Sequence, residues 1–231
     1  MKVLMFSSDQ KVFEVGSVAA ERMEKYREKL ERLDIVRLDR SQGRFFRFLC
    51  GYREAGRLLS EYHHDLITAQ EIEHAFLAWR LSQKFAVPFE MQIHTDIFSP
   101  YFAGGSFFNK LRVRLAKFLI PRASHIRVVS QRIKNSLLQT TNYKLSTVSV
   151  LPIFTKVPRG EGNIKTKYPG ASFVILMVSR LTREKNVPLA LRAFRKVTEK
   201  FPSTFLIIVG DGPESEALKR QVTRDKIQNN V

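Results

Sequence analysis

Arg180 and Lys185 are the residues of this chain best placed to do chemistry. They follow a short apolar run, Phe173-Val-Ile-Leu-Met-Val178, too compact for a helix. Its β-branched content predicts a fully buried parallel strand. In an open α/β sheet, ligands bind in the crevice beyond the carboxyl ends of the strands. Two cations there can neutralise a diphosphate. As a bond to that group breaks, they stabilise the gathering charge more in the transition state than in the ground state. The bland alternative is a pair of solvated charges on a basic protein.

A second apolar run, Phe205-Leu-Ile-Ile-Val209, leads into Gly210-Asp211-Gly212-Pro213. Glycines at such a turn allow positive backbone dihedrals or close approach of the chain to a ligand. Pro213, Glu214 and Glu216 suit the start of a following helix. A strand-to-helix turn accounts for most of this motif, which lacks the third glycine of a dinucleotide fingerprint. His94 closes a further strand, Pro88-Phe-Glu-Met-Gln-Ile-His94, with Thr95 and Asp96 behind it. A neutral imidazole there can hydrogen-bond a ligand near pH 7, although a strand-end histidine is commonly structural. Gly104-Gly105, beside Tyr101 and Phe102, reads as a binding loop or a plain turn.

Several chemistries are excluded. No Asp-x-Asp metal signature and no His/Cys zinc spacing occurs. The single cysteine, Cys50, rules out an internal disulfide framework and fits a reducing cytoplasm. It lies in the apolar run Phe45-Phe-Arg-Phe-Leu-Cys50, which argues against a catalytic thiol. No apolar stretch reaches the ~18 residues of a membrane span, and Ser7 to Gln10 interrupts the first apolar run too early for a signal peptide.

The formal net charge is +17, unevenly spread. Eleven lysines and arginines and no aspartate or glutamate occur between Ile97 and Gly160. Within this stretch, residues 107–120 read as an amphipathic helix. Phe107, Phe108, Leu111, Leu115, Phe118 and Leu119 share a face, with Lys110, Arg114 and Lys117 beside it. We expect that face to cover a sheet, leaving a solvated basic edge. The other reading places the helix on an anionic membrane surface. The positive field suits anionic partners of either kind.

These residues must be positioned by an α/β chain. Strands are predicted at Val3–Phe6, Ile35–Leu38, Asp65–Ala69, Pro88–His94, His125–Val129 and Thr147–Leu151. Helices alternate with them, among them Arg44 to Ser60, Ile72 to Phe85, and Gln131 to Gln139 with Ser130 as N-cap. Between Pro152 and Pro169, three prolines (152, 158 and 169), two glycines and mixed charges mark a linker, placed at 156–171. It separates a domain at 1–155 from one at 172–231, and two such halves predict a cleft between them. Only two strands and two helices follow Ser172, whereas a doubly wound domain needs about five or six strands.

Val178-Ser-Arg-Leu-Thr-Arg-Glu-Lys-Asn186, Ala190-Leu-Arg-Ala-Phe194 and Leu206-Ile-Ile-Val-Gly-Asp-Gly-Pro-Glu214 together resemble the retaining glycosyltransferases of family 4, the glycosyl transferases group 1. His94-Thr-Asp96, Arg127-Val-Val-Ser130 and Val150-Leu-Pro152 fit the N-domain of such enzymes. The resemblance implies a GT-B fold of two Rossmann-like, doubly wound parallel-sheet domains, the second incomplete. It implies that 1–155 is the acceptor-side domain and 172–231 part of the nucleotide-sugar-binding domain. Arg180 and Lys185 then grip the donor diphosphate, with Gly16 in a turn approaching it and Gly210, Asp211 and Gly212 as a donor loop. His94 is the implied catalytic residue, facing the donor sugar. The implied partners are a nucleotide-sugar donor and a glycan or lipid-linked acceptor, with no metal and no separate cofactor. The implied location is cytoplasmic, at the inner face of a membrane.

Two departures stand out. Val15-Gly16-Ser17 has one glycine where relatives often have two. The pair of glutamates that holds sugar and ribose in the family has no counterpart before Val231, so we expect a C-terminally truncated enzyme, impaired in isolation. The competing reading is a non-catalytic basic module binding nucleotide, nucleic acid or anionic lipid headgroups. Nucleic acid fits it poorly, because neither a stacking platform nor a recognition helix is evident.

Overall fold

The computed structural model describes residues 1–39, 41–141, 147–153 and 167–231. The chain divides into two compact units, Met1–Phe154 and Thr155–Val231. Of the expected linker, residues 156–166 lie outside the described residues.

The first unit alternates strand and helix: β1 (Lys2–Ser7), α1 (Val18–Arg27), β2 (Arg32–Arg37), α2 (Arg44–Glu61), β3 (Leu66–Ala69) and α3 (Ile72–Phe85). There follow β4 (Phe89–Ile93), α4 (Pro100–Gly104), α5 (Phe107–Leu119), β5 (His125–Val128), α6 (Gln131–Thr141) and β6 (Val148–Val150). The six strands form one parallel sheet in the order β2-β1-β3-β4-β5-β6. Strand periodicity sorts β1 onto two faces. Leu4 and Phe6 enter the main core with Ile67, Met91 and Ile126, whereas Met5 joins Val12 and Met23 in a small cluster under α1. Burying each large side chain of this kind stabilises the fold by roughly 1.5–3 kcal/mol.

On the Met5 side, β3, β4 and β5 carry polar residues in place of apolar ones. Gln92 donates to Thr68 at 2.9 Å and to Glu90 at 3.1 Å, and Arg127 donates to the Gln92 side-chain oxygen at 3.2 Å. This ladder satisfies buried polar groups across three strands. Ser130 caps α6 through the Ile133 amide, as its sequence position predicts.

Cys50 is exposed, because it falls on the solvent side of α2 while its neighbour Gly51 turns inward against Leu38. One local expectation fails. The helix at 107–119 is rotated from the expected setting. Ala116 and Leu119 are its buried residues, and Phe107, Phe108, Leu111 and Phe118 are exposed.

The second unit contains β7 (Phe173–Val178), α7 (Val187–Lys200), β8 (Thr204–Val209) and α8 (Ser215–Arg224). The strands pair in parallel over six residues. Ile175, Met177, Leu206 and Ile208 pack against Val187, Leu191, Phe194 and Leu218 of the helices. The expectation of a fully buried β7 is therefore wrong. Both helices pack onto one side of the pair, so alternate residues Leu176 and Val178 stay exposed, as does Phe173. A continuous apolar run shows that a strand forms, and the number of layers around it decides how much is buried.

Candidate functional site

Arg180 and Lys185 lie just beyond the carboxyl end of β7, as their spacing predicts. Leu181, between them, is buried and anchors the loop in the apolar cluster of the second unit. Both cations are exposed. The Arg180 guanidinium donates to Glu184 at 3.0 Å, a surface pair worth at most about 1 kcal/mol. Asn186 follows Lys185 in the left-handed conformation, φ 49°, and turns the chain into α7. Asparagine is among the few residues that take this shape readily.

Gly210 and Gly212 hold this cationic loop from the side. A β-carbon on Gly210 would overlap the Ser179 carbonyl, and one on Gly212 the Leu181 carbonyl. The close approach that these glycines permit is thus to neighbouring backbone. Backbone bonds complete the fit: Ser179 donates to Val209 at 3.0 Å, Leu181 to Asp211 at 2.8 Å and Glu214 to Leu181 at 3.1 Å. Asp211 spends one carboxylate oxygen on the Gly212 amide at 2.7 Å. Around the loop, Ser179 Oγ, Thr182 Oγ1 and Glu214 Oε2 are buried without a hydrogen-bond partner among the described residues. Buried polar atoms of this kind call for an explanation, and a bound ligand is one. Sequence reasoning missed the two hydroxyls, although both flank Arg180 in the chain.

In the first unit, His94 directly follows β4 and is half-buried. Burial disfavours its charged form, and the positive fields of Arg127 and Arg22 act in the same direction. Together they outweigh Glu71 and hold the imidazole pKa below its ordinary 6.5. Among the described residues His94 Nε2 is also buried without a partner. The segment behind it is fixed by Ser136 on α6, which donates to Asp96 at 2.7 Å.

Glu71, after β3, was missed by sequence reasoning. It accepts from Ser8 at 3.4 Å and lies 3.5 Å from His74 Nε2. The rule that singled out His94 would have found it, because Ser8 and Glu71 also follow strands at the carboxyl end of the sheet. Gly16 takes φ +81° just before α1, and a β-carbon there would meet nothing. Conformation, not crowding, explains this glycine. Ser17 then caps α1 through the Ala20 amide. Gly104 ends α4, and Asn109 donates to the Phe102 carbonyl at 2.9 Å, tying α4 to α5. Among the described residues no group of His, Cys, Asp and Glu could hold a metal ion.

Comparisons with known proteins bear on this arrangement. A family model described as Glycosyltransferase Family 4 matches residues 11–155, and one described as Glycosyl transferases group 1 matches residues 161–231. An uncharacterized glycosyltransferase of Methanocaldococcus jannaschii is 42% identical over 60 residues, 26% of this chain and 15% of the relative. The poly(glycerol-phosphate) alpha-glucosyltransferase of Bacillus subtilis is 35% identical over 63 residues, 27% of this chain and 9% of the relative. These matches therefore span only a small part of either curated relative. Among solved structures, Anabaena HepE in complex with UDP and glucose superposes with a TM-score of 0.63 at 18% identity, covering 100% of this chain and 68% of that one. Sucrose-phosphate synthase from Thermosynechococcus elongatus gives 0.69 at 14% identity, covering 100% and 69%.

Proposed function

The chain belongs to glycosyltransferase family 4 and has the GT-B fold, and from that premise we propose that it serves transfer of a hexose from a nucleotide-diphosphate sugar to a hydroxyl of a glycan or lipid-linked acceptor. The observation that carries this reading is the built loop at the end of β7. Its backbone is pinned by glycine contacts, its cations are presented outward, and its hydroxyls are buried without partners among the described residues. Structural relatives solved with UDP and with UDP-glucose support a nucleotide-sugar donor.

In this reading the sugar C1–oxygen bond to the diphosphate breaks, and the leaving group takes both bonding electrons. Arg180 and Lys185 receive the resulting charge on its phosphate oxygens without a divalent metal. Glu184 must release Arg180 for this, at little energetic expense. The acceptor oxygen bonds to C1 on the face that the diphosphate leaves, so configuration is retained, and the acceptor's hydroxyl proton passes to the departing diphosphate oxygen. His94, held neutral by burial and its cationic neighbours, hydrogen-bonds the donor sugar, and Gly16 lets the turn before α1 approach the phosphates.

Calorimetric titration of the purified chain with UDP, GDP, uridine and a nonspecific oligonucleotide tests this. Diphosphate-dependent binding that the oligonucleotide does not displace is the expected result. Binding of the oligonucleotide alone, with a steep salt slope, would leave a general anion-binding module instead.

A further inference from the structure

We propose, resting on the transfer reading above, that Ser8 and Glu71 hold neighbouring hydroxyls of an uncharged acceptor sugar at the carboxyl end of the first sheet. The cluster lies wholly in the first unit. Phe6 of β1 pairs with Ala69 of β3, and Ala69 with Met91 of β4. Two residues on, the chain reaches Ser8 after β1, Glu71 after β3 and Ile93 at the end of β4, beside His94. Sheet order thus gathers a hydroxyl, a carboxylate and an imidazole into one row.

The contacts within the row are loose. Ser8 donates to one Glu71 oxygen at 3.4 Å, and the other oxygen lies 3.5 Å from His74 Nε2. Both are long for bonds to a carboxylate. Ser8 is buried, while the Glu71 side chain stays 43% exposed. Glu71 stands at the N-cap position of α3 yet makes no capping bond, so helix capping does not explain its side chain.

Charge decides the class of ligand. Arg22 on α1 and Arg127 on β5 set positive fields at His94, and Glu71 sets a negative one. Arg127 is held away from Glu71, because it donates to Gln92 at 3.2 Å and to the Leu151 carbonyl at 3.1 Å. A cation entering here meets the arginines, and an anion meets Glu71. A pair of hydroxyls meets no like charge. A carboxylate can accept from two hydroxyls at once, and a serine both donates and accepts, as each sugar hydroxyl does. The group that receives the hexose therefore belongs to an uncharged sugar, whatever carries that sugar further away.

Amide NMR titration of the chain with methyl α-glucoside, and with its 6-phosphate and 6-amino derivatives, tests the assignment. Each titration is run with UDP absent and at saturation. The neutral glycoside is expected to shift the Ser8, Glu71 and Thr95 amides saturably, and to bind about threefold tighter than either charged derivative. Glu71→Gln keeps a carbonyl oxygen but loses the charge, and should weaken glycoside binding about tenfold. Ser8→Ala should weaken it about fivefold. Melting temperatures of each variant separate these losses from unfolding. UDP binding is read apart, at the amides of residues 179–185, so a failed donor reading shows there and a failed acceptor site at Ser8 and Glu71. Unchanged glycoside affinity in Glu71→Gln, tighter binding of the phosphate or amino derivative, or no saturable shift in the parent would overturn the proposal.

Discussion

The Ser179 carbonyl lies against the Cα of Gly210, in space that any side chain would need. The atom in the way is backbone, so it cannot rotate aside. Gly210→Ala should therefore push apart the two loops that follow β7 and β8. The expected cost is about 1–3 kcal/mol to the second unit, read by urea denaturation, together with weakened UDP binding. Gly16→Ala is the contrast: space is open there, but φ +81° is not. Its cost should be about 1–2 kcal/mol from conformation alone.

Arg180 and Glu184 form a competing pair at the proposed diphosphate site. Arg180→Ala with Lys185→Ala should weaken UDP binding at least tenfold, since charge-assisted hydrogen bonds contribute about 1.5–3 kcal/mol each. Glu184→Gln should act in the opposite direction, strengthening binding by no more than about fivefold. Unchanged affinity in the double variant would remove the cations from the site.

The exposed side of β7 makes a packing prediction. Leu176→Thr should change stability by less than about 0.5 kcal/mol, because its side chain leaves the helices behind. Ile175→Ala, one residue earlier and packed on the α7–α8 cluster, should cost about 2–5 kcal/mol. Equal costs measured by chemical denaturation would mean that both sides of the pair are covered in solution.

The alternation of strands and helices was legible because apolar runs and polar turns follow local rules. Arg180, Lys185 and His94 were legible because residues after parallel strands stand at the sheet's carboxyl end. The setting of α5 was not. Its apolar residues span enough of the helix circumference that periodicity leaves the buried side open, and Ala116 wins that place by letting the helix approach closely. The role of Gly210 was equally hidden, since a glycine permits close approach without saying to what. Glu71, after β3, and Arg127, on β5, act on His94, a proximity that only sheet order creates.

Asp34 provides an acid-stability prediction. Burial alone would raise its carboxyl, but hydrogen bonds from Arg32 at 2.6 Å and with His64 Nε2 at 2.8 Å outweigh that and hold it below 3.8. A carboxyl with a lowered folded-state pKa stabilises the fold above its unfolded value and loses that contribution as pH falls through the folded one. Asp34→Asn should therefore destabilise the first unit at pH 7 and flatten the stability decline below about pH 4. Melting curves of parent and variant should converge in acid.

His94 has the opposite chemistry and a higher window. Its folded-state pKa lies below 6.5 through burial and the nearby Arg127 and Arg22 charges. The unfolded chain thus binds a proton first as pH falls, and stability drops below about pH 6.5 until the folded state is protonated too. His94→Gln should remove that slope while leaving stability near pH 8 little changed. Sugar transfer, measured on a chain competent for turnover, should show an acid limb below pH 6.5 in the parent. The glutamine variant should lose that limb along with most of its rate. An acid limb that survives in His94→Gln would assign it to another group and take the histidine out of the reaction.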